Sequence, residues 1–396
     1  MRIGFHSPAP LVFTWLTLVL CPGLGGAGAR EATDSLKADI LGIINSTPGI
    51  SFEQDQQLEA AAGTAAVEIA GSGQDAGSGQ EAVHEAIVSA LRRHAVTDAK
   101  IFHAAIISDS RGDLLESFTA FMKMDGFEQI DGRHIGIEAF ITDSKALCVL
   151  ICVDRVVTMS GVPGRIAKPA KVMVKGTALK KVEGLHVMVQ TPGMDFLKPT
   201  VHIKGSTFTV LLPLNGSAGQ YRIEVLGDLG YGPSVLNLFT ITVGSGEAGE
   251  NEFEAARTAA AAAKAKPGKG KNRNAWGLFH LINALRAVEN LPELKVDEAL
   301  TQTALSHVKD MKKGAYFGHT SPSQGTFDAR IKAAGVKSSS VSEVITEAAG
   351  PEGALKNLIA SPSHLMQILG KDYTHMGAAL IKTGQGRLFV VVFAKY

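Results

Sequence analysis

A chain of 396 residues exceeds what one ordinary hydrophobic core holds and predicts two or three domains. Its 39 Lys and Arg against 38 Asp and Glu leave a net charge of +1, so no field draws in nucleic acid or an anionic membrane, and no nucleic-acid partner is expected.

The first feature along the chain is an apolar run, Leu11 to Leu20 (LVFTWLTLVL), preceded by Arg2 and followed by small residues ending in Ala27-Gly28-Ala29. A positive end, a short apolar stretch and a small-residue cleavage site form a leader pattern, so residues 1–29 are read as a signal peptide. Two readings compete. A retained anchor needs a longer apolar span, and lipidation at Cys21 meets a bulky Leu20 where lipoprotein processing sites carry a small residue. After processing no stable transmembrane span remains, and the mature protein is expected to be secreted or periplasmic.

Residues 30–157 mix helical periodicity with apolar strands and are read as an N-terminal α+β domain. Gly71 to Gln80 (GSGQDAGSGQ) is a polar loop between helices; with no strand before it, it is not a dinucleotide-binding turn. Cys148 and Cys152 lie four apart in ALCVLICV, a predicted buried strand. Same-face residues at that spacing sit roughly 13 Å apart, beyond the roughly 7 Å a disulfide allows. They are expected to be buried thiols, and the chain is not a disulfide scaffold.

Residues 158–244 carry six or seven short alternating runs, among them VMVKG, LHVMVQT, TVHIKG, TFTVLLPL and YRIEVLG, with turn residues such as Leu214-Asn215-Gly216 between them. This predicts an antiparallel β-sandwich of immunoglobulin-like shape, acting as a spacer or binding module. Residues 245–274 form an Ala/Lys/Gly-rich linker, with a short helix expected over 255–265 and a basic tether at 266–271.

Residues 275–396 open with a predicted helix whose Leu278, Leu281, Ile282, Leu285 and Val288 share one face. A second follows Asp297 as N-cap, with Leu300, Ala304, Val308 and Met311 inward. Helices are expected over 327–334 and near 353–360, then a terminal hairpin turning at Thr383-Gly384-Gln385-Gly386. Helices around a small antiparallel sheet make an α+β layered domain.

The polar residues of this last segment fall in a fixed order: Ile282-Asn283-x-x-Arg286, His307-Val308-Lys309-Asp310-Met311, Phe317-Gly318-His319-Thr320-Ser321-Pro322, Ser342-Glu343-Val344-Ile345, Ser361-Pro362-Ser363-His364 and Met376-Gly377. That order and spacing resembles the bacterial branch of the CAP superfamily (SCP-like; cysteine-rich secretory proteins, antigen 5 and pathogenesis-related proteins). The resemblance implies an α-β-α sandwich with a pocket that gathers two histidines and one or two acids. His319 and His364 match the histidines and Glu343 the acid. The sequence departs from the family's pattern at Val344, where Asn is usual, at Leu358, where Trp is common, and at Ser361, near the place of a second Glu.

Two neutral imidazoles and a carboxylate suit Zn²⁺ or another divalent metal, with His319 and His364 as ligands and an open position for water. Without metal, Glu343 would orient a histidine for acid–base work, making His319, Glu343 and His364 the candidate catalytic set. His307 is read as structural and Glu347 as solvated.

Residues 35–157 echo this last segment. Asp55-Gln-Gln-Leu58 resembles Asp297-Glu-Ala-Leu300, and His134-Ile-Gly136 resembles His375-Met-Gly377. Asp55 precedes Gly136 by 81 residues and Asp297 precedes Gly377 by 80. A degenerate, pocket-less CAP-like unit is one explanation; coincidence of common helix starts and hairpins is the other. The expected function is that of an exported protein binding a ligand, lipid, metal or protein partner. A metal-assisted hydrolase and a purely structural interaction protein stand as alternatives.

Overall fold

The computed structural model describes residues 13–19, 30–48, 51–71, 79–123, 134–142, 145–245, 273–383 and 386–396. They divide into two compact units, the first ending at Arg155 and the second running from Val156 to Tyr396. Both are mixed α/β.

In the first unit β1 (Phe13–Val19), α1 (Arg30–Ser46), β2 (Glu53–Gln54), α2 (Gln56–Gly71), α3 (Gly79–Arg93), β3 (Ile101–Ser108), α4 (Arg111–Met122), β4 (His134–Ile141) and β5 (Ala146–Val153) follow in order. The sheet runs β1-β3-β5-β4-β2. Strands β3 and β5 are buried along their whole length because both faces are covered. Phe102, Ala104 and Ile106 join the core under α1 and α4, whereas Ile101, Ala105 and Ile107 join the core under α2 and α3. Cys148 and Cys152 are buried free thiols in the first of these cores. The apolar run read as a leader contributes β1, parallel to β3 with Phe13 opposite Ile101. Residues 72–78 of the Gly/Ser loop lie outside the described residues.

The second unit begins with β6 (Val157–Ser160), β7 (Arg165–Ile166), β8 (Ala170–Ala178), β9 (Glu183–Gln190), β10 (Phe196–Leu197), β11 (Val201–Lys204), β12 (Thr207–Leu214), β13 (Gly219–Asp228) and β14 (Pro233–Val243). They form two sheets, β10-β9-β13-β14-β7 and β11-β12-β8-β6. Val189, Ile223 and Ile241 from one and Val174, Val210 and Leu212 from the other share a core. Tyr221 is buried at the start of β13, and its hydroxyl donates to the Ser217 carbonyl at 3.0 Å. That corner is a hallmark of immunoglobulin-like sandwiches. The Ala-rich and basic stretches at 255–271 lie outside the described residues.

The chain then forms α5 (Arg273–Val288), β15 (Lys295–Val296), α6 (Glu298–Gly314), α7 (Phe327–Ala333), β16 (Ser340–Ala348), α8 (Pro351–Ala360), α9 (Pro362–Ile368), β17 (His375–Lys382) and β18 (Arg387–Lys395). The sheet order is β15-β17-β18-β16. Val344 and Ala348 of β16 pack with α5, α8 and α9, and Ile345 packs with α6 and α7. On α5, Val288 is exposed rather than inward, since the helix ends there; Ala275 and Phe279 complete the buried face instead. The N-cap of α6 is Asp297, whose carboxylate accepts from the Leu300 nitrogen at 2.8 Å.

One frame recurs. In the first unit β2-β4-β5-β3 pair parallel, antiparallel, antiparallel, as do β15-β17-β18-β16 in the last segment. Asp55 accepts from the Leu58 nitrogen at 3.0 Å, as Asp297 does from Leu300. Gly136 and Gly377 let α2 and α6 lie close on their sheets. A Cβ on Gly136 would lie 2.1 Å from the Leu58 carbonyl carbon, and one on Gly377 2.2 Å from the Thr301 nitrogen.

Candidate functional site

Alternation along β16 sends Glu343 to the α6/α7 side of the sheet, where it is buried. Arg330, on α7, meets it with one guanidinium nitrogen at 2.8 and 2.9 Å from the two carboxylate oxygens. A second guanidinium nitrogen donates to the His319 carbonyl at 2.7 Å, so Arg330 grips both the acid and the loop beside it. The His319 Nδ1 lies 2.9 Å from Glu343 Oε1. From α6, His307 contributes an Nε2 that is 2.9 Å from the Gly318 carbonyl and 3.8 Å from Glu343 Oε1.

Burial alone would raise the Glu343 carboxyl; the His319 hydrogen bond and the charges of His319, His307 and Arg330 outweigh it and hold the group ionised. The contact with Glu343 occupies His319 Nδ1, so Nε2 is the ring nitrogen left for another partner. The His319 side chain is 22% exposed, against 1% for Glu343 and 0% for His307, so it alone of the three reaches the surface. Its loop is pinned by Asp310, which accepts from Tyr316, Ser321 and Ser323 hydroxyls at 2.5, 2.6 and 2.6 Å.

His364 lies in the first turn of α9, where Ser361 is the N-cap and Pro362 fixes the entry. It is buried, and its Nδ1 has no hydrogen-bond partner among the described residues. Burial, aided by the charge of nearby His319, pushes its pKa down to about 3. The fold therefore puts His319 in contact with Glu343 and sets His364 within the electrostatic reach of His319, with no hydrogen bond from His364 to either.

The other predicted residues sort differently. Asn283 holds the Leu294 backbone through both side-chain atoms at 2.9 and 3.0 Å. Arg286 is fully buried and donates to the carbonyls of Pro292, Ile368 and Gly370, which fastens the end of α9. Val344 and Leu358, where Asn and Trp are usual, are plain core residues. Glu347 is not solvated: it is buried at the far end of β16, accepts from the Thr383 hydroxyl, and burial pushes its pKa up to about 7. Arg330 was invisible to motif reading, because an arginine 11 residues after His319 in an amphipathic helix carries no chemical signal until the helix is folded over β16.

The donor set limits a metal. Both oxygens of Glu343 are taken by Arg330, whose charge repels a cation at that carboxylate. Among the described residues no group of three or more His, Cys, Asp or Glu side chains is arranged to hold an ion. His364 Nδ1 is left without a partner among the described residues, and Glu343 stands behind His319 at 2.9 Å.

Residues 279–394 match the family model described as CAP: Cysteine-rich secretory protein family. The uncharacterized protein YkwD of Bacillus subtilis (strain 168) is 32% identical over 105 residues, which is 26% of this chain and 41% of that protein. Among solved structures, an outer surface protein from Borrelia burgdorferi is 24% identical, covering 30% of this chain and 89% of its own, with a TM-score of 0.28. An extracellular protein with an SCP domain from Bacillus anthracis str. Ames is 17% identical over 58% of this chain and 83% of its own, with a TM-score of 0.30. The C-terminal segment belongs to the CAP family. No helix among the described residues is long and apolar enough to cross a membrane.

Proposed function

We propose that this is an exported CAP-domain binding protein, working in the cell envelope or outside the cell, whose ligand is a divalent cation such as Zn²⁺ held between His319 and His364. The observation that carries this is the His319–Glu343–Arg330 chain: the acid engages His319 Nδ1 and orients the ring, which leaves Nε2 as its ligand-binding nitrogen. The buried, unpartnered Nδ1 of His364 supports it, since a buried polar atom costs free energy until something meets it. Export rests on the leader pattern of residues 1–29. The central strands serve as an immunoglobulin-like module, and residues 30–157 are a second, pocket-less CAP-like unit, supported by the shared strand order and the Gly136 and Gly377 contacts.

A metal-assisted hydrolase would need a carboxylate free to take up a proton. Glu343 is held ionised between a guanidinium and an imidazole, which suits it to orienting His319 rather than to being a general base. Calorimetric titration of zinc into the full chain tests the proposal. Uptake by the wild type and its loss in the His319→Ala/His364→Ala double variant are expected; equal uptake by both would overturn the assignment.

A further inference from the structure

Sandwich strand β13 carries a glutamate in an unusual place. Ile223 and Val225 point into the sandwich core, so Glu224 between them points out of it, yet Glu224 is fully buried. Its carboxylate accepts from the Ser361 hydroxyl and from the Ser363 nitrogen, the latter at 2.8 Å. Ser361 in turn accepts from the His364 backbone N–H at 3.3 Å. A buried carboxylate is costly unless hydrogen-bonded, and on the sandwich Glu224 finds its described partners only in the CAP segment that carries His364. Met194 and Phe196 of the sandwich pack against the CAP core beside it.

The turn that follows β13 holds the other histidine loop. Asp228 accepts from the Gly230 and Gly232 nitrogens at 2.6 and 3.0 Å, which shapes the turn, and the Tyr231 carbonyl then accepts from the Thr320 nitrogen at 2.8 Å. Tyr231 stacks on Tyr316 with ring centroids 5.4 Å apart. The approach is close enough to demand glycine on both sides. A Cβ on Gly318 would lie 2.5 Å from the Tyr231 oxygen, and one on Gly232, at φ +87°, 3.1 Å from the His319 Cβ.

We infer that the β-sandwich is a working part of the histidine site: Glu224 is a positioning residue for His364, and the Asp228–Pro233 turn fixes the loop of His319. The two rings sit on separate elements of the CAP segment, and one sandwich strand with its turn sets both. Of the two roles expected for the sandwich, spacer or binding module, this is the second. This inference rests on the His319–His364 reading above, and its test keeps the two apart.

The test uses the full chain with Glu224→Ala, Glu224→Gln, Ser361→Ala and the Glu224→Ala/Ser361→Ala pair, read by zinc titration and by the imidazole NMR signals of His364. Glu224→Ala is expected to shift the His364 signals and weaken zinc uptake about tenfold, the usual cost of losing a supporting partner behind a ligand. Ser361→Ala should cost less in the Glu224→Ala background than alone, because the bond between the two is then already lost while the cap on the His364 nitrogen is lost either way. Glu224→Gln keeps an acceptor for the Ser361 hydroxyl and should recover part of the loss. Unchanged His364 signals in Glu224→Ala, or additive effects of the two substitutions, would overturn the inference. Should the wild type take up no zinc, the cation reading fails by itself and the His364 signals still decide the positioning role. Should Glu224→Ala not fold, Glu224→Gln is read against the same two outcomes.

Discussion

The first unit and the CAP segment build the same four-strand order, yet they present different chemistry on one face of one strand. In the first sheet Gly136, Ile151 and His103 lie in one row; in the last, Gly377, Val392 and Glu343 do. Toward their covering helices β3 offers His103, Ala105 and Ile107, whereas β16 offers Glu343, Ile345 and Glu347. The preceding helices also correspond: Val96 donates to the Leu91 carbonyl as Val336 does to Ile331. The residue before that acceptor is buried Ala90 in one and Arg330 in the other. His103 is wholly buried, its pKa pushed well below the usual histidine value by burial and by His84, whose ring centroid is 5.3 Å away. The frame is thus indifferent to what this face carries. Capping aspartates, close-approach glycines and apolar alternation make the sheet; the site adds Glu343 and Arg330 on this face, His319 from a loop and His364 from α9.

The sharpest way to break that comparison is at Arg330. Arg330→Ala imports the Ala90 character of the first unit but leaves Glu343 as a buried, uncompensated charge. A loss of about 3–5 kcal/mol is expected in denaturant melts of the full chain. Adding Glu343→Leu should return most of it, since the orphaned charge is gone. A single-variant cost below about 1 kcal/mol would mean the pair is not what holds the cluster together.

The glycines come next, and here the two regions should agree. Gly136→Ala and Gly377→Ala each drive a methyl into helix backbone, not into a side chain that can turn away. Each is expected to cost roughly 3 kcal/mol, with hydrogen exchange locating the loosened helix to α2 in one case and α6 in the other. Tolerance of either substitution would show that the shared frame is less alike than its registers suggest.

Much of this was legible in the sequence because it is local. Asp297 as a cap, the Leu300, Ala304, Val308, Met311 face and the buried ALCVLICV strand follow from patterns that neighbours in the chain create. Ile282-Asn283-x-x-Arg286 was read correctly as belonging to the domain, but its use, binding the 292–294 backbone and the end of α9, is tertiary. The site was half legible. His319 and Glu343 stand out as polar residues in short motifs, whereas Arg330 and Glu224 carry no local signal, since each acts on a residue far along the chain. Glu347 was misread as solvated because an acid four residues after another on a strand shares its face, and nothing local says that Thr383 will close over it.

That buried acid gives the smallest test and separates the two regions by pH. Glu347 stands in the row that Ile107 fills in the first unit, each paired with a leucine on the central strand. Its folded pKa is about 7 against 4.5 for the free group, so the stability it contributes is fully present below pH 4.5 and is lost as pH rises through 7. His364 works the other way. With a folded pKa of about 3 against 6.5, its contribution is present above pH 6.5 and drains as pH falls toward 3. Glu347→Leu, which imports the apolar character of Ile107, should leave the acid side unchanged and remove a loss of roughly 3 kcal/mol between pH 4.5 and 8. Urea melts of wild type and variant at pH 4.5, 6 and 8 measure the difference. It should widen as pH rises; curves that stay parallel would mean Glu347 titrates as an ordinary solvated acid after all.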